Sequence, residues 1–319
     1  MRWFIAAAAA LVLVSQANAQ GTWPQRPVTL IVPFGAGGSA DLTARVIAPH
    51  LQAKFGQPFV IDNKGGAGGS IGAGYVAKAA NDGYTLLVGT ISSNAINAAL
   101  YSRLNYDLDR DFQPVTRLVL FPNLMMVNKN LPVRSVGELI AYLKANPGKV
   151  NYGSSGIGTS SHLSVVMFAL ATGTEMTHIP FRSTSEVVNS MIGGNIDLGI
   201  DSMTTTVPFA QSGAVRALGV TTPQRNPSMP NLPTIGETLP GYEATAWQGL
   251  FAPAGTPRPI VDRLAEAVKA ILERPDVAAQ LAAGGAEPAP QSPEEFAAFT
   301  RAERAKWKTV VQKSGTRIE

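Results

Sequence analysis

The residues of this chain that could do chemistry are concentrated in glycine and hydroxyl loops. The first is Phe34-Gly35-Ala36-Gly37-Gly38-Ser39-Ala40-Asp41. An apolar run, Val28 to Val32, precedes it and reads as a buried strand. Leu42, Val46, Ile47 and Leu51 follow at helical spacing. A strand, a glycine loop and a helix start make an anion trap. Glycines let the backbone approach a ligand. The first helical amides have no partners within the helix, and the helix dipole adds positive charge there. The second loop runs from Ser154 through Gly156, Gly158, Thr159 and Ser160 to His162. It lies between a strand-like Val150-Asn151-Tyr152 and a helical repeat of Leu163, Val166, Met167 and Leu170. Two such loops, one in each half of the chain, suggest two lobes facing one ligand.

Three further groups belong with them. Ser92, Ser93 and Asn94 follow the strand Tyr84 to Thr90, and ligands in open α/β sheets sit at the carboxyl ends of strands. Arg182 stands where a helix begins, an unfavourable place for a cation unless an anionic ligand is near. Asp201 ends the strand Ile196 to Ile200, where it selects a hydroxyl or ammonium on the ligand or caps the next helix. Asp41 is either a ligand contact or a first-turn carboxylate favoured by the dipole. Phe34 is either core or a wall of the pocket, and for Trp247 core is the better reading.

Other chemistries fit less well. His50, His162 and His178 are the only histidines, with no zinc-binding spacing among them, and a lone histidine such as His162 is more often structural than catalytic. Gly153 to Gly158 lacks a nucleophile elbow. No catalytic residue, metal or cofactor is expected. Gly35 to Ala40 does match the dinucleotide fingerprint, with Asp62 at the end of the next strand. Against a Rossmann-type oxidoreductase stand Pro33 and Phe34 between strand and glycines, an exported location, and the unexplained second loop.

The elements that position these groups alternate. Strands are expected at Phe59 to Asp62, Met176 to Pro180, Ala214 to Thr221 and Glu243 to Phe251. Helices are expected at Ile71 to Ala80, Ser135 to Asn146, Ile260 to Leu272 and Pro293 to Lys313. Leu118 to Val127, broken by Pro122, reads as a crossing segment. The alternation predicts α/β architecture with mainly parallel sheets. Residues 22–122 plus 245–319 form one expected lobe and 123–244 the other, with two hinge crossings.

The chain has 319 residues, a formal net charge of +4 and no cysteine. Disulfides, thiolate metal sites, a cysteine nucleophile and a lipid-modified cysteine are thereby excluded. No cationic stripe with interleaved aromatics suggests nucleic-acid binding. Residues 1–19 read as a signal peptide, with Ala17-Asn18-Ala19 as the cleavage site, so the mature chain begins at Gln20. No later stretch is long and apolar enough to span a bilayer. The expectation is a soluble exported protein, periplasmic in a Gram-negative source.

Together these stretches resemble the Bug family, the TctC-like solute-binding proteins of tripartite tricarboxylate transporters. Trp23-Pro24-Gln25-Arg26-Pro27, the loop from Pro33 to Asp41, Asn63-Lys64-Gly65-Gly66-Ala67-Gly68-Gly69, the loop from Gly153 to His162, Gly193-Gly194-Asn195-Ile196-Asp197-Leu198 and Gly249 to Pro257 carry the likeness in order. It implies a two-lobed periplasmic-binding-protein (Venus-flytrap) fold that closes on a small carboxylate as a monomer without catalysis. TctA/TctB-like membrane subunits would then import the ligand, or a signalling partner would sense it. Loops matching Phe34 to Asp41 and Ser154 to His162 would hold the carboxylate. One departure stands out: the family's usual Pro-Tyr-Lys-Gly is here Pro180-Phe181-Arg182-Ser183, and arginine can grip a carboxylate bidentately.

Overall fold

The computed structural model describes residues 23–315, so the expected signal peptide and cleavage site lie outside the described residues. Among the described residues, eleven strands form two sheets. The first has six: β1 (Val28–Val32), β2 (Phe59–Asn63), β3 (Thr85–Thr90), β4 (Phe112–Phe121), β10 (Ala246–Pro253) and β11 (Glu287–Pro288), in the order β11-β4-β10-β3-β1-β2. The second has five: β5 (Asn123–Asn128), β6 (Asn151–Ser154), β7 (Thr177–Pro180), β8 (Leu198–Ser202) and β9 (Val215–Val220), in the order β7-β6-β8-β5-β9. Only Pro122 separates β4 from β5, so the chain passes from one sheet to the other there. It returns before β10.

The sheets are mixed, which corrects the expectation of mainly parallel ones. In the first, β1 pairs parallel with β2 and β3, whereas β10 runs antiparallel to both β3 and β4. In the second, β6 pairs parallel with β7 and β8, whereas β5 runs antiparallel to β8 and β9. The reason is the double crossing. Each sheet holds one central strand that enters from the other sheet, β5 or β10, and it runs opposite to the neighbours that point toward the crossing.

Helices follow the strands. They are α1 (Ser39–Phe55), α2 (Ser70–Val76), α4 (Val136–Ala145), α5 (Ser160–Thr172), α6 (Thr184–Ile192), α7 (Met203–Gln211), α8 (Ile235–Thr238), α9 (Arg258–Leu272), α10 (Pro275–Ala283) and α11 (Pro293–Ser314). Between α2 and α4 lies α3, a wide i→i+5 turn at Ser92–Ile96 running into Asn97–Leu100. Side-chain caps start several of them: Ser135, Thr159, Ser183 and Ser292 each accept a hydrogen bond from the third helical amide. α1 differs, because its N-cap is Gly38, which has no side chain to offer.

The core explains the fixed placement of β10. Trp247 and Trp307 are fully buried and donate their indole N–H groups to the same Glu303 carboxylate oxygen, at 2.9 and 3.0 Å. Glu303 also pairs with Lys306. A buried carboxylate needs such partners. The cluster ties the returning strand to α11, with Phe296 packed edge-on to Trp247.

Candidate functional site

A cavity of about 540 Å³ lies where the two sheets meet. Its floor is built by both crossings: Phe121 and Asn123 from β4 and β5, and Ala246, Trp247 and Gln248 from β10. Its walls are helix beginnings. Gly38, Ser39 and Ala40 start α1; Thr90, Ile91 and Ser92 lead into α3; Ser160 starts α5; Arg182 precedes the N-cap of α6; Ser202 is the N-cap of α7. Five helices thus direct the positive ends of their dipoles at one volume. The Ser39 and Ala40 amides have no partner inside α1 and no side-chain cap beside them.

Of the residues singled out in the sequence, the structure brings Phe34, Gly38, Ser39, Ser92, Ser160, Arg182 and Asp201 to this wall. Arg182 is exposed, and among the described residues its guanidinium makes no hydrogen bond or ion pair; only its backbone N–H is engaged, by Glu186 at 3.0 Å. Asp201 is 5% exposed. Its Oδ1 accepts from the Thr184 hydroxyl and the Ser202 amide, both at 2.8 Å, while Oδ2 has no partner. Burial pushes the Asp201 carboxyl above the usual carboxylate range, against the pull of those two hydrogen bonds.

The others stand behind the wall or at its rim. Gly35, Ala36 and Gly37 are exposed at the rim, and Gly37 takes a left-handed φ of 80° to let the chain turn. Asp41 faces its own loop: Oδ2 accepts from the Gly37 amide and from Arg45 Nε, both at 2.8 Å. The Arg45 guanidinium holds this carboxyl at about 2, with the Gly37 amide adding to it and burial opposing. Ser93 and Asn94 are buried and bind each other and Thr90, fixing the start of α3. Ser154 Oγ lies 2.6 Å from His178 Nε2 and bonds Gly156.

Thr159 does not offer its hydroxyl to the cavity. It donates to the Gly156 carbonyl at 2.7 Å and accepts from the His162 amide at 3.4 Å. His162 is the structural group that a lone histidine usually is: its Nδ1 accepts from the Gly158 amide at 3.1 Å. Its ring stacks on His178 at 4.1 Å, which stacks on Tyr152 at 4.8 Å. Burial, with a smaller push from His178, lowers His162 to about 4. The ring is therefore neutral, with its proton on Nε2.

Sequence reasoning missed Ser155, Asn123, Ser202 and Gln248 on the wall. Strand alternation could have found the first, since Ser154 and Ser155 cannot face the same side. The crossings carry no local signal. Gln248 Nε2 donates to Ser39 Oγ at 3.0 Å, and its Oε1 is buried without a partner. Trp247 is both core and floor.

The sequence profile described as the Tripartite tricarboxylate transporter family receptor, TctC, matches residues 43–316. The chain belongs to this family. The TctC-family assignment agrees with relatives that match more than nine-tenths of the chain. Protein BugT of Bordetella pertussis is 35% identical over 93% of this chain and 92% of its own. An R. palustris protein solved with adipate superposes with a TM-score of 0.77 at 41% identity, covering 92% of this chain and 98% of that one. MatC from Rhodopseudomonas palustris, solved with bound malate, superposes at 0.73 with 35% identity, covering 91% of this chain and 100% of its own. TctC-family receptors are two-lobed periplasmic binding proteins, and the two sheets described above are those lobes' frames. Asp62, the acidic residue of the rival dinucleotide reading, pairs at the surface with Lys64 at 3.0 Å. Among the described residues no group of His, Cys, Asp and Glu is placed to hold a metal, and no helix is long and apolar enough to cross a membrane.

Proposed function

We propose that this TctC-family receptor captures a small carboxylate between its lobes and delivers it to TctA/TctB-like membrane subunits. It acts as an exported monomer, without cofactor and without catalysing a reaction. The lobes are residues 22–122 plus 245–319 and residues 123–244, which is how the two sheets divide the strands. The observation that carries the reading is the unpaired Arg182 guanidinium facing a cavity ringed by helix beginnings. The Ser39 and Ala40 amides receive one side of the carboxylate, Ser92, Ser155 and Ser160 supply hydroxyls, and Arg182 supplies the charge. The adipate and malate held by the two R. palustris relatives support the ligand class.

The test is calorimetric titration of the mature protein with a library of mono-, di- and tricarboxylates, followed by mass spectrometry of any binder. At least one should bind saturably and be recovered unchanged. Arg182→Met should weaken it by roughly ten- to a hundredfold, the cost of about 1.5–3 kcal/mol for a lost charged hydrogen bond. Catalytic conversion of the binder, or unaltered affinity in Arg182→Met, would overturn the corresponding part of the proposal.

A further inference from the structure

A second chamber of about 230 Å³ opens beside the main cavity. The two share Ser39, Phe121 and Ser202, so one continuous ligand can occupy both. Their walls differ in chemistry. The main cavity carries one cation, Arg182, and one carboxylate, Asp201. The side chamber has no charged residue in its lining, which combines apolar Leu42, Phe121 and Leu281 with uncharged polar Thr43, Thr205 and Gln280. Its size exceeds the roughly 150 Å³ that suffices for a benzene ring in an apolar cavity.

We propose that the ligand is a monocarboxylate with an apolar tail of about phenyl size, its head at Arg182 and its tail in the chamber bounded by Leu42, Phe121 and Leu281. This rests on the carboxylate reading above and sharpens it. A second carboxylate on the ligand finds no second cation to meet, and it must share the helix amides of the main cavity with the first. Left in the main cavity it faces Asp201, whose Oδ2 is already buried without a donor. Pushed into the side chamber it loses its hydration against aliphatic carbon and hydroxyls, which is costly for an ion. An apolar tail gains there, by about fourfold in affinity for each methylene buried. Leu42, half exposed despite its size, gains a covering neighbour when the tail is seated.

The experiment is calorimetric titration with acetate, butanoate, hexanoate, 3-phenylpropanoate, adipate and malate. Affinity should climb from acetate to hexanoate or 3-phenylpropanoate, and hexanoate should exceed adipate, its equal in chain length, by at least tenfold. Leu42→Trp, which fills the chamber from an exposed position, should lower affinity for 3-phenylpropanoate tenfold or more and leave that for acetate within threefold. Adipate or malate binding as tightly as hexanoate, or Leu42→Trp affecting acetate and 3-phenylpropanoate alike, would overturn the tail assignment and leave the carboxylate receptor standing. No saturable binding by any of the six would overturn the tail assignment, and the wider library of carboxylates above then decides the receptor reading separately.

Discussion

At the scale of single residues, the second glycine loop is held by groups that never reach the cavity. His162 accepts from the Gly158 amide only while its ring is neutral, so the loop's shape is tied to pH. The ordinary value of 6.5 falls to about 4 in the folded protein. A depressed value means that the stabilisation is complete above the unfolded value and is lost as pH falls through the folded one. Thermal unfolding measured from pH 7 to pH 4 should therefore show a loss of about 3 kcal/mol from this ring at most. His178, lowered by burial, should add to it. Asp41, held near 2, protonates below that window and should contribute little to the change. His162→Gln, which keeps an acceptor but cannot titrate, should flatten the profile. An equally steep profile in that variant would assign the loss elsewhere. The two strand-loop-helix junctions were legible in the sequence because glycine and hydroxyl residues stand between a strand-like run and a helical repeat at each. Which of their side chains face outward was not. Thr159, Ser154 and Asp41 have the chemistry of ligand contacts, and only three-dimensional neighbours show that Gly156, His178 and Arg45 already engage them.

At the scale of elements, close packing is set by glycines as much as by large side chains. Gly249 in β10 lies directly against Phe296 of α11: a Cβ there would sit 2.1 Å from the ring. Neither a central strand nor a buried ring can retreat. Gly249→Ala should cost about 1–3 kcal/mol by overpacking, read as a lowered melting temperature, and Phe296→Leu in the same chain should recover part of it. A variant as stable as the parent would show that α11 is not pressed onto the strand. Long apolar strands and amphipathic helices such as α9 were readable from periodicity. α10 was not, and neither was the first half of β4, where Gln113, Pro114 and Arg117 interrupt the apolar pattern. α3 carries no helical signal in the sequence because its polar start, Ser92-Ser93-Asn94, is buried by partners distant in sequence, including the Tyr106 hydroxyl on the Ser93 carbonyl at 2.6 Å.

At the scale of the whole molecule, the lobes touch along the side chamber as well as across the main cavity. The Thr204 hydroxyl at the start of α7 donates to the Gly284 carbonyl after α10 at 3.2 Å, and Asn226 bonds Glu287. A Cβ on Gly285 would meet Thr204 Oγ at 1.5 Å. This seam holds the two sheets in the arrangement described here. Ligand can favour closure only by binding the closed state more tightly than the open one. X-ray scattering should thus show a smaller radius of gyration with a bound carboxylate than without. Gly285→Ala should resist that compaction, and Thr204→Gly in the same chain should restore it, which a purely local turn defect would not allow. Compaction that is unchanged in Gly285→Ala would detach the seam from closure. The crossing at Pro122 and the return before β10 were both legible in the sequence. The seam was not, because Thr204, Asn226 and the glycines near 284 carry no pattern that links them.

The ring of helix beginnings has a consequence for how such a receptor can change over generations. Attraction built from main-chain N–H groups and helix dipoles belongs to the fold, and substitution of neighbouring side chains leaves it largely in place. On the reading proposed above, the charge-bearing end of a ligand is met by Arg182 together with main-chain groups that point mutation leaves in place. On the proposal above, its other end is met by a few side chains, Leu42, Phe121 and Leu281 among them, any of which can be exchanged one at a time. A lineage can retune what it carries in small steps without passing through a form that carries nothing.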